Sequence, residues 1–487
     1  MTLILAGVLA ALLAQVPASL AAGCQEACAQ LRTEFDTSVH LGGNDPDFAI
    51  WDMKQQEAKP ACRFEPAAAT QVSRAVEVAV AHWCRFAIKG GGHMTNPDAS
   101  NSRGGITVDL HRMNHVEIAE DRSRADLGPG HVLRNAYRAL EVYNLTMVGG
   151  RTADVGLPGF TIGGGLSNLS PQYGLALDNV YEYQLVLPNA TIVNVSETAH
   201  PDLYFALRGG GNNFGIVTNF RVRLVRQGQM LGGSRTYSIN FTDQLVEQSH
   251  QLATAKAEDT YMSFWSRYFY EPARDRFRMS FSQAYYEPVL EPAVFEEVNK
   301  IPFEEGNLRI DWMSNHSLDS VSPHGFRRVY ASITYRPSQT LHKKIINIFS
   351  EEVGEIKTTP GLSTSVVVQT LHHNAIKAMK TRGGNALGVE SDGPLMIALL
   401  TLGWSNAEDD AAMYSYADRW VDRCASEANA LGLLHPWVYI NYANHNQDPF
   451  AGYGEANRLR LRRIQEAIDP RGVFTSQGLV RGSFKLR

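Results

Sequence analysis

The sequence has no excess of positive charge. Its 487 residues carry 45 Lys and Arg against 50 Asp and Glu, a formal net charge of -5 at pH 7. Nucleic acids and anionic membranes attract clusters of basic residues, so neither partner is expected. Hydrophobic residues make up 44% of the chain and aromatic residues 9%, which excludes a disordered protein. The length predicts more than one folded domain.

Charged residues are also missing from positions 1–22. This stretch is too short and too rich in alanine for a comfortable membrane span, and small residues follow its apolar part. The pattern predicts a secretory signal peptide over residues 1–22, cleaved near Ala21 or Ala22, and therefore a secreted, extracellular protein. The alternative is a buried N-terminal helix, but such helices usually have a polar face, which this stretch lacks.

Cysteine is scarce, with five residues in the chain. Disulfides persist outside the cell, and the four early cysteines, Cys24, Cys28, Cys62 and Cys84, allow three pairings between which the sequence does not choose. Cys424 stands alone and is expected to be a buried free thiol. N-glycans are expected at some of the Asn-x-Ser/Thr acceptors, which are Asn144, Asn168, Asn189, Asn194, Asn240 and Asn315.

Several signatures of nucleotide binding and hydrolysis are absent. The chain contains no Gly-x4-Gly-Lys-Ser/Thr, no Gly-x-Gly-x-x-Gly, no His-Glu-x-x-His and no Gly-x-Ser-x-Gly. These absences argue against a Walker-type loop, the usual dinucleotide fingerprint, a zinc protease and a serine hydrolase. No metal site is expected.

Of the 41 glycines, 14 are instead gathered in three clusters, at 90–92, 149–165 and 209–215. Glycine allows a backbone to approach a ligand closely, and oriented backbone amides suit phosphates. The alternative is that the clusters are turns. Short strand and helix patterns alternate around them from 64 to 225, whereas longer amphipathic stretches follow up to about residue 436, which predicts a second domain.

Five ordered segments carry a family resemblance. They are Lys89-Gly90-Gly91-Gly92-His93, Gly149-Gly150-Arg151, Gly163-Gly164-Gly165-Leu166-Ser167, Tyr173-Gly174-Leu175-Ala176-Leu177-Asp178-Asn179-Val180 and Leu207-Arg208-Gly209-Gly210-Gly211-Asn212-Asn213-Phe214-Gly215-Ile216-Val217. In order and spacing they resemble the FAD-linked oxidases of the berberine bridge enzyme-like, vanillyl-alcohol oxidase type, and the secreted fungal members most. The resemblance covers nearly the whole chain after residue 22.

This resemblance implies an α+β fold. It consists of a two-part FAD-binding domain of the PCMH type and an antiparallel-sheet substrate domain covered by helices. We expect the FAD-binding domain over residues 23–227, with its core from about 56 to 227, and the substrate domain over 228–437. Residues 438–487 are expected to return to the FAD-binding domain.

The resemblance also implies a covalent flavin. His93 matches the histidine that bonds through its imidazole to the 8α-methyl carbon of FAD. Thr152 stands where many relatives have a second linking cysteine, so the linkage is expected through His93 only. Val155 matches the position that admits or blocks dioxygen. The residues expected to contact the cofactor are Gly90, Gly91, Gly92, His93, Val155, Gly156, Gly163, Gly164, Gly165, Ile216, Val217 and Asn441.

Oxidation of an alcohol or amine needs a hydride acceptor, which FAD supplies, and a base for the O–H or N–H proton. Tyr442 matches the tyrosine that acts as base in some relatives, with Lys89 or Lys377 as the cation that helps it to ionise. The alternative for Tyr442 is a core aromatic residue. Glu390 and Asp392 are competing bases.

The expected protein is a secreted oxidase. It takes a hydride from an alcohol or amine carbon of a small metabolite or sugar and reduces dioxygen to hydrogen peroxide. Thr152 favours a phenolic or alkaloid-like substrate over an oligosaccharide. Two alternatives stay open: a dehydrogenase that passes electrons to a quinone, and a flavin-loaded glycoprotein without turnover, in which Thr95 and Phe160 replace a tyrosine and a histidine of the relatives.

Overall fold

The structure is a computed structural model that describes residues 18–42, 45, 48–254, 259–389, 392–476 and 478–486. The helices are α1 Ala18–Phe35, α2 Met53–Gln56, α3 Ala69–Ala81, α4 Leu133–Glu141, α5 Leu157–Ile162, α6 Ser170–Tyr173, α7 Pro201–Leu207, α8 Thr242–Thr254, α9 Glu296–Asn299, α10 Met313–His316, α11 Gln339–Ile356, α12 His373–Ala378, α13 Asp410–Ala430 and α14 Glu455–Ile468. The strands are β1 Val39–Leu41, β2 Cys62–Phe64, β3 Phe86–Lys89, β4 Ile106–Asp109, β5 Val116–Ile118, β6 Arg124–Leu127, β7 Leu145–Thr146, β8 Val180–Val186, β9 Ile192–Ser196, β10 Ile216–Arg223, β11 Val225–Arg226, β12 Met230–Ser238, β13 Met262–Glu271, β14 Arg276–Tyr285, β15 Glu305–Gly306, β16 Arg309–Asp311, β17 Arg327–Tyr335, β18 Ser363–Leu371, β19 Leu395–Trp404 and β20 Leu434–His435.

Two sheets of the N-terminal half lie next to the glycine clusters. The first has the order β1-β2-β4-β3, with β2, β4 and β3 parallel and β1 antiparallel. The second is antiparallel, with the order β5-β6-β10-β8-β9. The first glycine cluster follows β3 directly and the third ends where β10 begins. Both clusters therefore lie at the ends of strands of these two sheets.

A larger antiparallel sheet forms the second half. Its order is β15-β12-β14-β13-β18-β19-β17-β20, and β16 also pairs with β12. Every second residue of β13 is buried, because successive side chains of a strand point to opposite faces. Phe264 and Tyr268 lie in one core with residues of α8, α11 and α13. The helices thus cover one face, and Trp265 and Arg267 lie on the other. The predicted α+β class is confirmed.

The C-terminal segment packs on the first sheet. Val480 forms a β-bridge with Phe86, and the rings of Phe86 and Phe474 meet edge to face at 5.6 Å between centroids. We retain the boundaries near residues 227 and 437 as a proposal, which this return contact supports.

Two disulfides establish the cysteine pairing that the sequence left open. They join Cys24 to Cys84 and Cys28 to Cys62, and Cys424 is free and buried in α13, as expected. Residues 1–17 of the predicted signal peptide lie outside the described residues. No helix within the described ranges has both the length and the apolar character needed to cross a bilayer.

One predicted glycan acceptor is inaccessible. Asn168 is 7% exposed and lines an internal cavity, so a glycan there would not fit. Asn144, Asn189, Asn194 and Asn240 are exposed, and Asn315 is partly buried.

Candidate active site

A cavity of about 780 Å³ lies between the glycine clusters and the open face of the large sheet. This volume is typical of cofactor and substrate clefts. All but two of the predicted site residues line it, namely Gly90, Gly91, Gly92, His93, Val155, Gly156, Gly163, Ile216, Val217, Asn441 and Tyr442. The fold therefore brings residues from all three clusters and from the C-terminal segment to one space.

Gly164 and Gly165 do not line the cavity. They lie behind its wall, where the backbone N–H groups of Gly165 and Leu166 donate to Tyr439 Oη at 2.9 and 3.1 Å. Burial, the largest effect, raises the pKa of Tyr439 above its ordinary value, so its hydroxyl stays neutral. The direct cofactor contact predicted for these two glycines stays a prediction, and in this structure the amides of Gly165 and Leu166 hold Tyr439.

Asn441 joins the C-terminal segment to the second cluster. Its Nδ2 donates to the carbonyl of Phe160 and to Tyr439 Oη, both at 3.0 Å. A Cβ on Gly163 would lie 2.1 Å from Asn441 Oδ1. Asn441 thus packs directly on the glycine turn, and no larger residue fits at position 163.

The first and second clusters touch backbone to backbone. A Cβ on Gly91 would lie 2.3 Å from Gly156 N, and a Cβ on Gly156 would lie 2.2 Å from Gly91 N. Such distances are far inside van der Waals contact, so both positions require glycine. This contact places His93 and Val155 on the same wall.

His93 is held between an indole and a carboxylate. Its ring stacks on Trp51 with centroids 3.6 Å apart and planes at 13°. Its Nε2 lies 3.6 Å from Asp154 Oδ1. Burial favours neutral Asp154, but the nearby imidazole outweighs it and holds the pKa of that carboxyl below its ordinary value. Within the described part of the chain, neither His93 Nε2 nor the Asp154 oxygens have a hydrogen-bond partner.

Tyr442 is paired with an arginine. Arg151 Nη2 donates to Tyr442 Oη at 3.1 Å and also to Gln369, and its guanidinium lies 4.5 Å from the ring centroid of Trp265. The prediction of Lys89 or Lys377 as the cation is wrong. Lys89 is paired with Asp109 at 3.1 Å.

Lys377 lies on α12, and neither lysine lines the cavity. Arg151 directly follows Gly150 within the second glycine cluster. This position in the sequence could have indicated that Arg151 lies in the site.

The competing bases do not face this space. Glu390 lies outside the described residues. Asp392 accepts a hydrogen bond from His435 Nε2 at 3.0 Å, lies 3.7 Å from Arg336 and does not line the cavity. Asp392 is therefore occupied elsewhere.

Five further residues of this site were not predicted from the sequence, namely Trp51, Asp154, Arg267, Arg328 and Tyr330. All but Asp154 and Trp51 line the cavity, and those two contact His93. Asp154 lies beside Val155 in the second cluster and offered a local signal. The others lie on segments without a motif.

The cavity fits FAD. Its glycine side allows backbone amides to approach a pyrophosphate, Ile216 and Val217 supply apolar surface, and His93 supplies an imidazole nitrogen without a protein hydrogen-bond partner. Among the described lining residues Asp319 is the single acid, and Arg309 holds it at 2.8 Å. A dinucleotide with a planar ring system therefore meets no opposing negative charge.

Comparison with known proteins agrees with this fit. Residues 60–196 match the family model of the FAD binding domain. The chain is 33% identical to the FAD-dependent monooxygenase tpcD of Cochliobolus heterostrophus, across 95% of this chain and 94% of that protein.

Two solved structures share the fold. One is xylooligosaccharide oxidase from Myceliophthora thermophila in complex with xylobiose, with a TM-score of 0.75, 20% identity, and coverage of 95% of this chain and 99% of that one. The other is glucooligosaccharide oxidase from Acremonium strictum with its 6-S-cysteinyl, 8α-N1-histidyl FAD, with a TM-score of 0.73, 18% identity, and coverage of 96% and 100%.

Proposed function

The chain belongs to the berberine bridge enzyme-like family of FAD-linked oxidoreductases, and from that membership we propose that it is a secreted oxidase of small metabolites. It oxidises an alcohol or amine carbon and passes the electrons to dioxygen, which yields hydrogen peroxide. The observation that carries this proposal is the Arg151–Tyr442 pair in the cavity that His93 also lines. The two disulfides support a secreted protein.

His93 and the glycine clusters would hold the cofactor. FAD, when bound, supplies the hydride acceptor. His93 has a fixed ring plane, an adjacent carboxylate and no competing hydrogen bond in the described chain. These features support attachment of the flavin to its imidazole. Thr152 supplies no thiol for a second bond.

Tyr442 would accept the substrate proton. Tyr442 lines the cavity, and its hydroxyl oxygen receives a hydrogen bond from Arg151. A guanidinium at this distance would stabilise the phenolate form of Tyr442, which is the form that can accept a proton and becomes neutral when it does so. Arg151 is itself held by Gln369 and Trp265, so the pair is positioned before substrate arrives.

Stopped-flow mixing without oxygen tests the activity. The purified yellow protein is mixed with alcohols, amines, phenols and sugars, and the yellow absorbance is followed. Bleaching, with return of the colour and peroxide in air, is the expected result. Return of the colour with a quinone but not in air would identify a dehydrogenase. No bleaching with any compound would favour a flavin-loaded glycoprotein without turnover.

A second candidate is a monooxygenase, because the 33% identical relative is named as one. Reaction under ¹⁸O₂ separates the two functions. Label in peroxide and none in the organic product supports the oxidase. Label in the product would replace it with the monooxygenase.

Acid precipitation tests the attachment. In the wild-type protein the yellow colour is expected in the pellet, and His93→Ala is expected to move it to the supernatant. Colour in the wild-type supernatant would overturn the covalent assignment and leave the redox proposal to the stopped-flow result.

A further inference from the structure

Arg267 has an unusual position in the cavity. It lies near the middle of β13, on the face of the large sheet opposite the helices, and it lines the cavity. Its direct neighbours across the sheet are Ser280 on β14 and Val367 on β18. Both neighbours also line the cavity, so Arg267 stands between a serine and a valine in the cavity lining, and burial lowers the pKa of its guanidinium.

Arg267 has no charged or hydrogen-bonding partner among the described residues. Its one ring contact is with Phe269, whose centroid lies 4.9 Å from the guanidinium carbon. The other two arginines of the lining differ. Arg151 donates to Gln369 and Tyr442, and Arg328 donates to the carbonyls of Trp51 and Phe326, both at 2.9 Å.

Tyr330 does not supply the missing charge. Tyr330 interacts electrostatically with Arg267. Burial, the largest effect, raises the pKa of Tyr330 above its ordinary value, so its hydroxyl is neutral at physiological pH. Asp319, the acid of the described lining, is held by Arg309. The cavity therefore has an uncompensated positive charge.

An unpaired charge away from water is costly, and proteins normally pair it. The guanidinium is planar and presents a fork of N–H donors that matches a carboxylate in two parallel hydrogen bonds. The hydroxyl groups of Ser280 and Ser282, which also line the cavity, offer further donors beside it. The missing partner thus has the geometry of a carboxylate.

We propose that Arg267 binds a carboxylate of the substrate, so that the oxidised metabolite is an acid whose carboxylate lies apart from the reacting carbon. This inference rests on the proposed function, because it concerns the substrate half of the same cavity. It assigns to Arg267 a role in specificity and none in the chemical step.

Calorimetric titration of the purified holoprotein tests the inference without turnover. The probes are two matched pairs of acid and amide, benzoate with benzamide and indole-3-acetate with indole-3-acetamide. The wild type is expected to bind at least one acid about 10-fold or more tightly than its amide, because a hydrogen bond to a charged group adds this much affinity. Equal affinity within both pairs would overturn the inference.

Variants assign the preference to the residue. R267M is expected to weaken binding of the preferred acid by about 10- to 100-fold and to change the affinity for its amide by no more than about 2-fold. R267K is expected to retain part of the preference. The control is R274M, which removes an exposed arginine of the same domain that pairs with Glu271 and is expected to bind like the wild type. An acid preference that survives in R267M would overturn the inference.

The outcomes separate this inference from the proposed function. Oxidation of neutral alcohols at equal kcat/KM in the wild type and R267M, with no acid preference, would leave the oxidase standing and remove the role of Arg267. Acid binding that depends on Arg267, without oxidation of any substrate, would support the role of Arg267 and overturn the proposed oxidase.

Discussion

Arg151 Nη2 donates to Tyr442 Oη at 3.1 Å, across a sequence separation of 291 residues. The bond joins the second glycine cluster to the C-terminal segment. It places the permanent positive charge of Arg151 beside Tyr442, the proposed base. A hydrogen bond from a charged donor contributes about 1.5–3 kcal/mol, so this contact is large enough to influence catalysis measurably.

Replacement of Arg151 should slow the reaction. R151M is expected to lower kcat by about 10- to 100-fold, because Tyr442 loses the charged hydrogen-bond donor that stabilises its proton-accepting form. R151K should restore part of the rate. Y442F, which removes the base, should lower kcat by about 10²- to 10⁴-fold. Steady-state kinetics measure both effects, and an unchanged kcat in R151M would contradict the role of the pairing.

Asp154 should control attachment of the flavin. It lies beside His93 Nε2. Replacing the partner that orients a metal-bound histidine typically costs about 10- to 100-fold in affinity or activity, and an effect on this scale is expected for Asp154. D154N is expected to slow attachment of added FAD by about 10-fold or more, measured as yellow colour retained by acid-precipitated protein over time. D392N removes a carboxylate outside the cavity lining and serves as the control. Equal attachment in D154N and the wild type would show that Asp154 does not act on His93.

Gly91 and Gly156 should not tolerate a methyl group. G91A and G156A each place a Cβ within 2.3 Å of backbone, and forced overpacking typically costs about 1–3 kcal/mol. Both variants are expected to unfold at lower temperature and to bind FAD weakly. G228A is the control, because Gly228 lies outside the cavity lining and its Cβ would meet no atom within 4 Å, so it should behave like the wild type. Thermal unfolding and flavin content measure the outcome; tight FAD binding by G91A would refute the close contact.

His342 should make the protein less stable in acid. Burial lowers its pKa from 6.5 to about 4 in the folded state, so the unfolded chain takes up a proton first. Its contribution is fully present above pH 6.5 and is lost as the pH falls towards 4, at a cost of about 3 kcal/mol. H342L should reduce this fall between pH 6.5 and 4. Urea unfolding at a series of pH values measures the slope, and identical slopes for both proteins would contradict the prediction.

Local patterns carried the sequence predictions that were confirmed. The family membership followed from ordered glycine clusters, and the α+β class followed from it and agrees with alternating strands and amphipathic helices such as α13. These features depend on residues that are close together in the chain. A glycine that is required by a close backbone contact, such as Gly91, can be recognised in the sequence even when the residue it contacts is unknown.

The residues that contact each of these positions were determined by the tertiary structure. The sequence led to Lys89 or Lys377 beside Tyr442, and the fold placed Arg151 there. It also paired the cysteines, stacked Trp51 on His93, turned Gly164 and Gly165 towards Tyr439, and left Arg267 facing the cavity without an acid. The sequence by itself determined which family the chain joins, and it predicted which glycine backbone could approach a dinucleotide. Only the tertiary structure determined which side chains meet, because contacts between distant segments are set by sheet order and packing, which no local pattern encodes.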